Sequence, residues 1–306
     1  MKTIKLLIAI LFITSATISC SVNNDIYYPP TLEDVVTNYD IWYVDYNRTE
    51  GTGDIPFLSN AFTISFLNGK LYANNNIVGI GFTGDGYGIQ VGRYDTYNGY
   101  LEINHTIDGY YDLDVVELSS NSIKIVDTFN NVAYYLEGYQ KSSFDFDKVF
   151  YDNIEYFLQE YEAWEKTAVI GGEVNEFDYE NFLAFTPENI TTFYSSQDEV
   201  GTDIANLIWD FEGDYEVYDV TGYDNLKILT LAYDLNGTEE FELSVINDEQ
   251  ISLYHNASGT TYEFAGNNFL QYLKSDGKTN KTEDVSIDGR KRTKVVRKTK
   301  DRQNRK

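Results

Sequence analysis

From Leu101 to Gly138 the chain carries a pattern that it repeats 128 residues later, and this repetition limits the fold more than any other feature. Leu101 falls on Leu229, Ile103 on Leu231, Leu113 on Phe241, Val115 on Leu243 and Leu118 on Ile246. Ile123 then falls on Ile251, Ile125 on Leu253, Tyr134 on Tyr262 and Gly138 on Gly266. Apolar and polar residues alternate through these stretches, the period of a strand with one buried face. Nearer the N-terminus the offset becomes 119, where Phe66 meets Phe185 and Leu71 meets Ile190, and 122 where Trp42 meets Trp164. Insertions in hairpin loops shift an offset in this way. The chain is a duplication of one β-rich unit.

Asn68-Gly69 and Asn98-Gly99 mark tight hairpins, because Asn and Gly tolerate the positive φ such turns require. A helix opens each copy. Thr31 before Leu32-Glu33-Asp34 has the shape of an N-cap with acid in the first turn. Phe150, Ile154, Phe157, Leu158 and Tyr161 form one helical stripe, which predicts a helix over about 147–160. About eight strands follow each tryptophan, enough to close an up-and-down barrel. The predicted fold is mostly β: two tandem antiparallel β-barrel modules, each preceded by a helix. A short helix, a Trp on the first strand and an eight-stranded meander resemble the lipocalin-like layout. Asp40 and Glu162 stand where lipocalins carry a glycine before that Trp. The expected segments are a signal peptide over 1–19, a linker over 20–30, β modules over 31–143 and 144–273, and a basic tail over 274–306.

Met1-Lys2-Thr3-Ile4-Lys5 is a basic start, and Leu6 to Ile13 is an unbroken apolar run. That run is too short to span a bilayer, which takes about 20 apolar residues, and it fits the core of a secretory signal. Thr17-Ile18-Ser19-Cys20 resembles the relaxed lipobox of Bacteroidetes lipoproteins, and Cys20 is the chain's only cysteine. The resemblance implies a Cys20 thiol carrying diacylglycerol and an acylated new N-terminus, with palmitate among the chains. Ser21 rather than Asp implies sorting to the outer membrane. Cys20 is therefore the expected lipid anchor and the membrane an expected partner.

Ile41-Trp-Tyr-Val-Asp-Tyr46, Leu71-Tyr-Ala-Asn-Asn-Asn76, Tyr161-Glu-Ala-Trp-Glu-Lys166 and Asn268-Phe-Leu-Gln-Tyr-Leu-Lys274 resemble a group of flavobacterial exported lipoproteins of unknown role. Members of that group often carry the label nicotinic acid mononucleotide adenylyltransferase. That activity uses a Rossmann-like fold and an H-x-G-H motif, which this chain lacks.

Charge narrows the partners. Cys20 to Leu273 holds 44 acidic and eight basic residues, whereas Lys274 to Lys306 holds 13 basic and five acidic. So acidic a body repels nucleic acid over about a Debye length, and no nucleic-acid partner is expected. The tail has no aromatic residue, which predicts an unfolded segment that pairs with anionic envelope phosphates or with the acidic body.

No catalytic residue, metal site or cofactor is expected. Gly79-Ile-Gly81-Phe-Thr-Gly84 is a literal G-x-G-x-x-G, but no helical stripe follows to present a pyrophosphate site. It reads instead as a glycine-rich hairpin. His105 overlies Tyr233, and His255 overlies Asp127, so neither is shared between copies. Asp108, Asp112 and Asp114, or Asp210, Glu212 and Asp214, offer oxygen for calcium without EF-hand spacing, and they read as solvated loops. Tyr110-Tyr111 and Tyr134-Tyr135 are platforms for sugars or ordinary strand packing. The expected function is a lipid-anchored binding or structural module of the cell envelope, not an enzyme. Its candidate ligands are a hydrophobic small molecule or a glycan. The competing expectation is an envelope hydrolase acting on glycans through paired carboxylates.

Overall fold

The computed structural model describes residues 29–186, 192–234, 237–272, 292 and 296–303; Cys20 and the signal segment lie outside them. Two closed eight-stranded antiparallel barrels follow one another. The first is built from β1 (Ile41–Gly51), β2 (Thr63–Leu67), β3 (Lys70–Asn74), β4 (Ile89–Tyr97), β5 (Tyr100–His105), β6 (Gly109–Ser119), β7 (Ser122–Asp127) and β8 (Val132–Tyr139). Each strand pairs with the next, and β8 returns to β1. The second barrel uses β9 (Tyr161–Ile170), β10 (Phe182–Phe185), β11 (Thr192–Ser196), β12 (Phe211–Val220), β13 (Tyr223–Tyr233), β14 (Thr238–Asn247), β15 (Gln250–His255) and β16 (Thr261–Phe269), and β16 closes on β9. Alternate residues point inward, and in the first barrel Trp42, Val44, Leu101, Leu113, Ile125 and Tyr134 belong to one buried apolar cluster. Among the described residues no helix is long and apolar enough to cross a membrane.

From Leu101 onward the hairpins of the repeat keep their register. Leu101 pairs with Leu113 as Leu229 pairs with Phe241, and Ile125 with Tyr134 as Leu253 with Tyr262. Leu118 and Ile246 also match, but both face solvent. Leu71 stands opposite Phe66 and corresponds to Phe193, which stands opposite Phe185, rather than to Ile190. The cause is a longer β10–β11 connection where the first barrel has the tight Asn68-Gly69 turn. Ile190 itself lies outside the described residues.

Helix α1 (Leu32–Thr37) follows Thr31 and precedes β1, and α2 (Pro56–Asn60) precedes β2. The helix expected over 147–160 is two, α3 (Phe146–Asp152) and α4 (Ile154–Leu158). Asn153 breaks it with φ −126° and ψ 30°, and its side-chain amide donates to the Val149 carbonyl at 2.9 Å. An Asn side chain competes with the helical ladder in this way. Gly79–Gly84 lies in the turns connecting β3 to β4 and opens no α-helix. That loop instead joins the barrels. Ile77 and Ile80 enter the second barrel's apolar cluster, and the Ile77 and Val78 N–H groups donate to the Glu160 carboxylate at 2.6 and 2.7 Å.

The basic tail differs most from expectation. Residues 274–291 lie outside the described set, but 296–303 are not an unfolded tail. Thr299–Lys300 forms β17, parallel to β12, on the edge that β11 leaves open beyond Asp214. Arg297 reaches Glu155 and Asp219, Lys300 reaches Glu240, and Arg302 reaches Glu242. The Lys300 Nζ also lies 3.9 Å from the centre of the Tyr218 ring. The pairing with the acidic body is as expected; the strand is not, because composition counts only the tail's own aromatics. The body supplies both the rings and the acids.

Candidate functional site

The two barrels differ at one end, the end of the β5–β6 hairpin in the first and of the β13–β14 hairpin in the second. In the first barrel α2 places Phe57 across it. Phe57 stacks on His105, with centroids 5.4 Å apart, and meets Tyr111 edge-on at 5.4 Å. At the offset of 119 that relates β2 to β10, Glu176 stands where Phe57 does. His105 and Tyr111 become Tyr233 and Glu239. The plug is missing, and a cavity of ≈ 730 Å³ opens instead.

Two aromatic pairs wall this cavity. Tyr194 from β11 lies 6.1 Å from Trp209, and Phe211 from β12 lies 5.9 Å from Tyr233 at the end of β13. Six carboxylates share the lining: Glu176, Glu180, Asp210, Glu212, Asp234 and Glu239. Among the described residues no Lys or Arg lines it. Glu176 belongs to a 3-10 turn over Glu176–Tyr179, started by a capping box in which the Asn175 and Asp178 side chains each take the other's backbone N–H. The turn then drives Phe177 into the barrel core against Phe241 and Tyr262.

One of these carboxylates, Glu180, belongs to a buried polar cluster whose positions are apolar in the first barrel. Lys166 occupies the position of Val44, Glu180 that of Ala61, and Ser195 that of Ala73. Glu180 is 6% exposed and accepts hydrogen bonds from the Ser195 hydroxyl and, at 2.8 Å, from the Tyr233 hydroxyl. Burial pushes its carboxyl above the usual carboxylate range, and Glu239 adds to this, while the two hydroxyls and Lys166 pull it back. Burial pushes the Lys166 ammonium down to about 8, against the pull of Asp178 and Glu180. Its Nζ donates to the Asp178 carbonyl at 2.8 Å and to that of Phe177 at 3.3 Å. Burial also raises Tyr233 strongly, so its hydroxyl stays a donor to Glu180.

The other sequence candidates are dispersed. His105 is buried in the first barrel, where its Nδ1 accepts the Asp108 N–H at 3.0 Å. His255 bridges Glu239 at 2.7 Å and Ser258 at 2.8 Å, a Ser–His–acid row that sequence spacing did not reveal. The Ser258 hydroxyl turns to Thr260 and does not line the cavity. The row caps the β15–β16 turn, as Asp127 caps the β7–β8 turn by accepting the Phe129 and Asn130 N–H groups. Asp210 and Glu212 line the cavity, Asp214 stands in β12, and Asp112 and Asp114 stand in β6. Among the described residues no three acidic, histidine or cysteine side chains gather into a metal-binding group. Tyr134 is a core residue, and Tyr135 donates to Glu50 at 2.6 Å. The overlay carries a signal for this cluster in the charged residues set against Val44 and Ala61, a difference between the copies and not a shared position.

No family model matches the chain, and no curated protein matches it.

Proposed function

We propose that this protein is a lipid-anchored lipoprotein of the bacterial cell envelope acting as a non-enzymatic binding module, with the second barrel's cavity as its ligand site. The observation that carries the reading is the difference between two copies of one barrel. One closes its end with Phe57, and the other opens it onto aromatic rings over a buried Lys–Glu cluster. Burying a lysine and a glutamate costs stability, so a buried Lys–Glu cluster in one copy, where the other has Val44 and Ala61, points to a role other than folding. The cavity also falls within the ≈ 300–1,000 Å³ range of small-molecule sites. The anchor reading rests on Cys20 behind its apolar run. Two experiments test the two parts. Cys20→Ala moves the protein from the outer-membrane fraction to the soluble one, and equal pelleting of both forms refutes the anchor. Glu180→Gln alters ligand-induced changes in melting temperature without touching the first barrel.

A second reading is favoured by one observation. Glu180, its carboxyl raised by burial and by Glu239, shares the cavity lining with that second carboxylate, and glycan hydrolysis uses two such acids. Release of reducing sugar from envelope glycan, lost in Glu180→Gln, would replace the binding reading with this one.

A further inference from the structure

The cavity's lining sorts ligands by charge. Among the described residues an anionic ligand meets six carboxylates and no Lys or Arg, and it is excluded by repulsion in a partly enclosed site. A purely apolar ligand meets Trp209, Tyr194, Phe211 and Tyr233, but it strips water from carboxylates that it cannot pair. An organic cation satisfies both surfaces. Its ammonium groups pair with carboxylate oxygens, and its methylenes and positive charge lie against aromatic faces.

The carboxylates are not equivalent. The protein's own donors already engage four of them: Ser195 and Tyr233 hold Glu180, His255 holds Glu239, the Gln197 N–H holds Asp210 and the Tyr194 hydroxyl holds Glu212. Glu176 and Asp234 are exposed and lie on separate elements of the lining, one in the 3-10 turn and one after β13. Charge is therefore offered at more than one point around the opening, which suits a ligand with more than one ammonium group.

Resting on the binding reading above, we infer that the second barrel binds an aliphatic polyamine, held between the Tyr194–Trp209 and Phe211–Tyr233 pairs with its ammonium groups on the rim carboxylates.

Trp209 makes the test direct. The other two tryptophans, Trp42 and Trp164, are buried in the barrel cores at 1% and 0% exposure, so a ligand-dependent fluorescence change reports on Trp209. Spermidine titrated into the full chain at about 0.15 M salt gives a saturable change, with the same affinity by calorimetry. A Glu176→Gln/Asp234→Asn double variant, altered only at exposed positions, binds about tenfold more weakly or worse. Trp209→Phe loses the optical signal, because Trp42 and Trp164 stay buried in the cores. Maltotriose serves as the neutral comparison. If maltotriose perturbs Trp209 and spermidine does not, the polyamine inference is wrong and the cavity remains a ligand site. If neither perturbs Trp209 nor gives heat, the site reading fails with it. If spermidine binds equally well to the double variant, it is condensing on the acidic body, and the inference is overturned.

Discussion

The ring of Tyr39 fills the space that a side chain on Gly138 would need: a β-carbon there would stand 2.4 Å from Tyr39 Cδ2. Tyr161 and Gly266 repeat the arrangement at 2.5 Å. In each copy the tyrosine hydroxyl crosses the last strand to the hairpin between the sixth and seventh strands, donating to Ser120 O at 3.1 Å or Asp248 O at 2.8 Å. Three residues on, the tryptophan Nε1–H donates back to the preceding helix, at Val36 O or Leu158 O, 2.8 Å in both. The pair latches helix, first strand and last strand together, closing the barrel.

Gly138→Ala drives a β-carbon into that ring. We expect a loss of about 1–3 kcal/mol in urea unfolding, the usual cost of overpacking. Adding Tyr39→Ala to that variant makes room and recovers part of the loss. Wild-type stability in Gly138→Ala alone would show that the latch does not bear on folding.

The tail should contribute to stability through Arg297. Its side chain is 7% exposed and lies 2.5 Å from Glu155, itself 8% exposed. Arg297→Ala leaves a buried carboxylate unpaired, a loss on the order of 3–5 kcal/mol. The partly exposed Lys300 pair with Glu240 is worth under about 1 kcal/mol, so Lys300→Ala costs less than Arg297→Ala. Comparable urea midpoints for the two variants would contradict the buried pairing.

Glu160 holds the Ile77–Val78 backbone with both carboxylate oxygens. Glu160→Gln retains one acceptor and turns an amide donor toward the other N–H. We expect a loss of about 1–3 kcal/mol. Proteolysis should then increase within residues 75–88, the segment that bridges the barrels. Unchanged cleavage there would rule Glu160 out as the clasp.

Lys166 sets a pH dependence. Its ammonium is held down to about 8 in the folded protein and returns to about 10.4 on unfolding. Between those values the unfolded chain binds more protons, so stability rises with pH from about 8 toward 10, and the penalty of burying the charge is complete below 8. Above about 10 the trend reverses, because Tyr262, pushed up by burial to about 12, keeps its proton only while folded. Wild type should gain on the order of 2 kcal/mol between about pH 7.5 and 9.5, and Lys166→Met should lose that slope. Equal slopes in the two proteins would mean that Lys166 titrates normally.

By itself the sequence determined the duplicated antiparallel architecture. Period-two alternation, turn residues and the paired tryptophans are local signals, and a register slip of one residue would turn every buried side chain outward. Asn68-Gly69 and Asn98-Gly99 declare their turns because positive φ is a property of single residues, and both pairs adopt it. Only tertiary structure decided the rest. Arg297 has no partner near it in sequence: Glu155 and Asp219 reach it from an earlier helix and from β12. The second barrel's cavity depends on Glu176 replacing Phe57 at the end of a folded barrel, where one lost aromatic ring leaves space instead of a solvated loop. Charge and burial combine over distances that the chain closes only by folding. Lys166 and Glu180 therefore read as ordinary polar residues until the barrel places them together under Tyr233.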